Sequence, residues 1–166
     1  MGVRVQKRGA RLELERLYSE RYPEFVRVAT AIIGTEGQAV DAVQETFARA
    51  LASLDTFRGE GPLAAWVWRI LVNTSRDHAH TVELVSDDLV PVAPESAVAS
   101  GGDEFGVRRW VSSLPERQRL AVFLRYFGEC EYRAIAEALD VEVGTVSATL
   151  SAAHSSLRRM LKEVAS

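Results

Sequence analysis

The chain holds a single cysteine, Cys130, which excludes an internal disulfide and fits a reducing compartment. No apolar run approaches the length needed to cross a bilayer, and the first residues carry no signal-peptide core. A cytoplasmic protein without membrane insertion is therefore expected. Nor is there a glycine-rich phosphate loop, because Gly59 and Gly61 lack the partners that such motifs require. His78 and His80 stand two apart, and on a helix such side chains do not share a face, so they make a poor metal pair. With no cluster passing the first geometric checks, neither an enzyme nor a cofactor site is expected. Cys130 itself reads as a small buried residue.

Two further absences concern charge. Residues 81–105 hold no Lys or Arg and six acidic residues: Glu83, Asp87, Asp88, Glu95, Asp103 and Glu104. From Ala134 through Ser156 there is again no Lys or Arg, while Glu137, Asp140 and Glu142 are acidic. Residues 1–80 carry a net +1 and residues 106–166 a net +2, so the whole-chain value of −3 comes from the middle. Valine, proline and acid without a clean period, ending near Gly101 and Gly102, mark that middle as a flexible linker.

What is present is ordinary for a globular protein, with 47% apolar and 26% charged residues over 166 positions. That length holds one domain or two small ones. The stretch that organises the chain is Tyr132 to Leu161. Ile135, Ala136 and Leu139 are spaced to bury one helix face, and Asp140 and Val141 make a sharp turn. Val143, Val146, Leu150, Ala153 and Leu157 form the inner stripe of a second helix. Gly144 and Thr145 start that helix where bulk would crowd an approaching surface. A plain helical hairpin has the same pattern, but a helix-turn-helix of this shape places the start of its second helix in the DNA major groove. Phosphate neutralisation by Lys and Arg supplies much of DNA affinity, so the missing cations contradict the shape.

The rest reads as helices. Met1 to Arg11 is basic and aperiodic, a mobile arm. An apolar pattern runs from Leu12 through Leu14 and Leu17, is broken at Pro23, and resumes from Phe25 to Ile33. Thr35 to Gln38 has the form of a capping box. The helix it opens turns Val40, Val43, Phe47, Ala50, Leu51 and Leu54 inward and leaves Asp41, Gln44, Glu45 and Arg49 as a polar stripe. Asp55 to Gly61 is a loop, and Pro62 opens a third helix with Trp66, Ile70 and Leu71 inward and Trp68 pointing elsewhere. Beyond the linker, a short helix holds Trp110 and Val111. Another follows Leu114-Pro115, with Leu120, Ala121, Phe123, Leu124 and Phe127 inward, and stops at Gly128.

With DAVQETFARAL at Asp41 to Leu51, FRGEGPLAAWVWRILVN at Phe57 to Asn73 and SLPERQRLAVFLRYFGECEYRAIAEALDVEVGTV at Ser113 to Val146, the chain resembles bacterial sigma factors of the extracytoplasmic-function type. The resemblance implies an all-α chain of two small helical domains. Residues 12–80 would form a three-helix region 2, and residues 106–166 a helix-turn-helix region 4. The basic arm 1–11 would precede them and the acidic linker 81–105 would join them. It further implies an alternative sigma factor whose partners are core RNA polymerase, promoter DNA and an anti-sigma factor.

By the same resemblance, Asp41, Gln44, Glu45 and Arg49 would dock on polymerase. Phe57, Arg58, Trp68, Asn73, Arg76 and Asp77 would meet the minus-ten element, the loop capturing a flipped base. Glu142, Gly144, Thr145, Ser147, Ala148 and Ser151 would meet the minus-thirty-five element. The chain departs from the family where basic residues usually follow Gly-Thr-Val: here Ser147, Ala148, Thr149 and Ser151 stand, and Arg158 and Arg159 come too late. A sigma-like module that binds an anti-sigma factor or polymerase, with little sequence-specific DNA binding, is the competing expectation.

Overall fold

The structure, a computed structural model, describes residues 2–86 and 110–166, and the expected linker beyond Ser86 lies outside them. Among the described residues, six α-helices of eight residues or more carry the fold: α1 (Gly2–Ile33), α2 (Glu36–Ala52), α3 (Leu63–Ser86), α4 (Glu116–Tyr126), α5 (Tyr132–Leu139) and α6 (Val143–Ala165). A 3₁₀ turn at Leu54–Thr56 follows α2. The first three helices pack together, as do the last three, and α5 lies along α3. Among the described residues there is no strand, and no helix is long and apolar enough to cross a membrane.

The first helix corrects two expectations. The basic segment read as a mobile arm forms the opening turns of α1, and Pro23 lies inside that helix instead of ending it. The proline removes one i to i−4 hydrogen bond, but the inner stripe continues through it: Leu14, Leu17, Phe25 and Val28 are all buried. Burial of that stripe outweighs one missing bond. The helix stops where Gly34 takes φ +100, a conformation that costs a glycine little.

The next helix begins at Glu36 with Thr35 in extended N-cap geometry, but no side-chain capping bond forms. Its buried stripe is Ala39, Ala42, Val43, Thr46, Phe47 and Ala50. The expected Leu51 is exposed and Val40 only half-buried, because the small Ala39 and Ala42 let α1 come close. Thr46 is buried without cost, its hydroxyl donating to the Ala42 carbonyl at 2.7 Å.

On α3 the two tryptophans exchange the roles expected for them. Trp68 is fully buried and Trp66 only half, beside Phe57 at 5.4 Å between ring centroids. Val67, Leu71 and Val72 share the burial of Trp68. The reason is that α3 has neighbours on two sides, α1 and α2 on one and α5 on the other. Trp68 stacks on Phe25 at 3.9 Å with 12° between planes, and Phe25 meets Phe47 edge-on at 5.1 Å. The helix runs on to Ser86, so the start of the expected linker is its last turn.

In the C-terminal half, Leu120 to Leu124 are buried along α4, and Asp140 takes φ 55 and ψ 51 to turn α5 into α6. Aspartate tolerates this left-handed conformation better than most residues. Val146, Leu150 and Ala153 are buried as expected, whereas Val143 is 47% exposed. The two halves share one hydrophobic core running from Leu14 on α1 to Ala153 on α6. Trp68→Ala should therefore lower the unfolding free energy by about 3–5 kcal/mol, and Trp66→Ala by clearly less, in urea titrations of the full chain.

Candidate nucleic-acid and protein-binding surfaces

Three groups of side chains were expected to carry function, and the fold treats each differently. On α2, Asp41 and Gln44 are exposed, opposite the buried Val43 and Phe47. Glu45 and Arg49 lie one turn apart and form an ion pair. Arg49 also reaches the Asp77 carboxylate at 3.7 Å and the buried Thr74 hydroxyl at 3.5 Å. His78 closes the network, its Nε2 lying 2.6 Å from Glu45 Oε2. The sequence offers His78 only as a poor metal ligand, and nothing local to it on α3 signals its pairing with α2. The His78 hydrogen bond holds the Glu45 carboxylate below its ordinary value of 4.5 against the opposing effect of partial burial, and the positive charge of Arg49 adds to the lowering.

The second group does not form one face. Phe57 is half-buried against Trp66, and Arg58 is exposed in the loop. Trp68 is core, a correction to its expected contact with DNA. Asn73 and Arg76 lie exposed on one side of α3, and Asp77 turns toward Arg49. Arg69 was not expected, yet it stands four residues before Asn73 and seven before Arg76, the spacing of one helix face. These three side chains line a polar cleft of about 330 Å³ together with Glu116 and Asp140.

The third group sits at the start of α6. Glu142, Gly144, Ser147, Ala148 and Ser151 are exposed, and Thr145 is half-buried. A methyl group at Gly144 would meet nothing within 4 Å, so the fold itself does not require glycine there. Arg158 lies eleven residues beyond Ser147, roughly 16 Å along the axis. His154 is tied back to α4, with Nε2 at 2.7 Å from the Tyr126 hydroxyl. The exposed start of the helix thus presents hydroxyls and methyls and no cation.

Cys130 is buried, as expected, and burial pushes its thiol up to about 12 despite the nearby Arg21 and Arg125. It stays protonated and unreactive. Among the described residues no cluster of His, Cys, Asp and Glu could hold a metal ion.

The family description "Sigma-70 region 2" matches residues 17–81, and "Sigma-70, region 4" matches residues 106–157. The chain is 30% identical over 154 residues to an ECF RNA polymerase sigma-E factor of Escherichia coli K12, covering 82% of this chain and 81% of that protein. It is 27% identical over 176 residues to an RNA polymerase sigma-H factor of Pseudomonas aeruginosa, covering 96% and 91%. Two solved structures share the fold. One is the sigma factor RpoE in complex with the anti-sigma factor NepR from Bartonella quintana, with a TM-score of 0.68, 24% identity and coverage of 90% and 97%. The other is CnrH with the cytosolic domain of CnrY, with a TM-score of 0.68, 21% identity and coverage of 98% and 99%.

The Glu45 network makes a prediction about acid. A carboxylate whose folded-state pKa is lowered contributes stability that is full above 4.5 and is lost as pH falls through the lower folded value. The side chain is 37% exposed, so the contribution should be on the order of 1 kcal/mol or less. Denaturant melts of Glu45→Gln should show a shallower loss of stability below pH 4.5 than the parent chain. Equal slopes would mean that the network contributes nothing.

Proposed function

Because the chain belongs to the extracytoplasmic-function family of bacterial RNA polymerase sigma factors, it directs transcription initiation as an alternative sigma factor, and we propose which surfaces it uses. The observation that carries the reading is the pair of matched segments, in family order on one chain, folded as α1–α3 and α4–α6. Core RNA polymerase, promoter DNA and an anti-sigma factor are its partners, and polymerase supplies the chemistry.

Asp41 and Gln44, with Glu45 and Arg49 held by His78 and Asp77, form the docking face for polymerase. A network tied across two helices presents its charges at low entropic cost, which suits a rigid docking surface. The loop at Phe57 and Arg58 captures an extruded base of the minus-ten element. Unstacking a base costs a few kcal/mol, which contacts in a fitted pocket offset. Arg69, Asn73 and Arg76 follow the adjoining strand, and Trp68 supports them from within the core. The protein works in the cytoplasm, beside the polymerase.

The start of α6 meets the minus-thirty-five element through Ser147, Ala148, Ser151 and the backbone at Gly144. With no cation on this face, its binding to duplex DNA is weak and only slightly salt-dependent. A module without promoter recognition would share that weakness, but it leaves the intact face at Asn73 and Arg76 without a purpose.

Run-off transcription with the chain and core polymerase on fragmented genomic DNA should give discrete start sites, and tight polymerase binding without any transcript would overturn the reading. Replacing both Ser147 and Ser151 by arginine should steepen the log–log salt dependence of duplex binding by about two units, since each phosphate contact contributes roughly 0.9. An unchanged slope would place DNA elsewhere than at this face.

A further inference from the structure

The opening turns of α1 contribute nothing to the core. From Lys7 to Glu13 every side chain is exposed except the half-buried Ala10, and the apolar stripe begins only at Leu14. The composition of this segment also works against a helix. Gly9 lies inside it although a methyl group there would meet nothing within 4 Å, and the first turn holds no acidic residue. A glycine in a helix interior costs up to about 1 kcal/mol relative to alanine, and cations are unfavourable at the positive end of the helix dipole. Yet Arg4, Lys7, Arg8 and Arg11 stand in this stretch, and no acidic residue precedes Glu13. Stability of the fold supplies no reason for them.

Lys7, Arg8 and Arg11 are spaced three and four apart, which places them on one face of the helix. That face adjoins the loop after α2. Lys7 Nζ lies 2.7 Å from the carboxylate of Asp55, where the loop that holds Phe57 and Arg58 begins. Arg11 meets Glu15 at 3.3 Å, and Arg8 makes no ion pair among the described residues. The two carboxylates are 73% and 61% exposed, so each pair is weak and can be exchanged for a phosphate.

We propose that the start of α1 is a further DNA-binding surface, on which Lys7, Arg8 and Arg11 neutralise phosphates of the melted strand next to the base held by the loop. The proposal rests on reading the loop at Phe57 and Arg58 as the place of base capture. A strand whose base enters that loop continues past both of its ends, and Lys7 stands at one of them. Phosphate contacts carry no sequence information, so this surface adds affinity for the open strand and leaves the choice of promoter to the loop. Phosphates beside the first turns of α1 also suit the helix dipole, so bound DNA stabilises turns that the sequence leaves marginal.

The test is fluorescence anisotropy of the full chain with labelled, random-sequence single-stranded DNA of about 12 nucleotides, over a range of KCl concentrations. Replacing Lys7, Arg8 and Arg11 together by glutamine should weaken binding about tenfold at low salt. It should also flatten the log–log salt dependence by about two units, each single-strand contact contributing roughly 0.7. Asp55→Asn with Glu15→Gln frees Lys7 and Arg11 and should tighten binding about threefold, a gain that damage to the fold does not produce. The same charge change at the exposed Glu36→Gln with Glu163→Gln, far from these cations in the chain, should leave binding as it was. Equal slopes for the parent and the triple variant overturn the proposal. Phe57→Ala with Arg58→Gln separates it from the reading of the loop: weaker binding there, with none in the triple variant, removes the α1 surface alone. No change in that loop variant removes the reading of the loop and the proposal with it. In the complex with core polymerase and a premelted duplex of random sequence, a benzophenone on Arg8→Cys should crosslink to DNA, the buried Cys130 staying unlabelled. Crosslinks to polymerase subunits alone would make these cations a protein contact and overturn the assignment to DNA.

Discussion

Burial of Trp68 from both sides is the constraint on which the architecture depends. Phe25 stacks on one face of its ring, and Gly128 of the other half packs against its edge. A large aromatic that removes this much surface from water fixes the register of α1 against α3, and it also gives the C-terminal half something to close upon. Without it, the core shared by the two halves would lose its largest fully buried side chain, and the exposed ion pairs across the seam are individually too weak to replace it. Arg21 belongs to the same constraint. It caps α4 while lying over the indole, so one cation serves the seam between the two halves.

The exposed start of α6 carries no cation. It begins with hydroxyls and methyls, and cations of the C-terminal half lie elsewhere, Arg133 facing the loop and Arg158 far along the axis. On α3, Arg69 and Arg76 are both paired with carboxylates from across the seam. On the opposite side of α3, the Glu45–Arg49–Asp77–His78 network joins α2 to α3.

The sequence by itself determined the local and the ordered: an all-helical chain, the Gly34 stop, the turn at Asp140, the succession of segments that identifies the family, and the absence of cations from the first half of α6. Each has a short-range cause, in apolar period, turn chemistry or composition, and needs no knowledge of neighbours. What α1 does at Pro23 lay beyond that reach, since one missing hydrogen bond is outweighed only when Leu17 and Phe25 have a core to enter. The choice of Trp68 over Trp66 could not be read either. Two positions two apart on a helix point to different sides, and periodicity alone does not say which side has a second neighbour. Only the tertiary structure decided the pairing of His78 with Glu45, 33 positions away, and of Arg21 with Gly128, 107 positions away. Such contacts arise when separate helices are brought together, and nothing in either local stretch encodes the other's position.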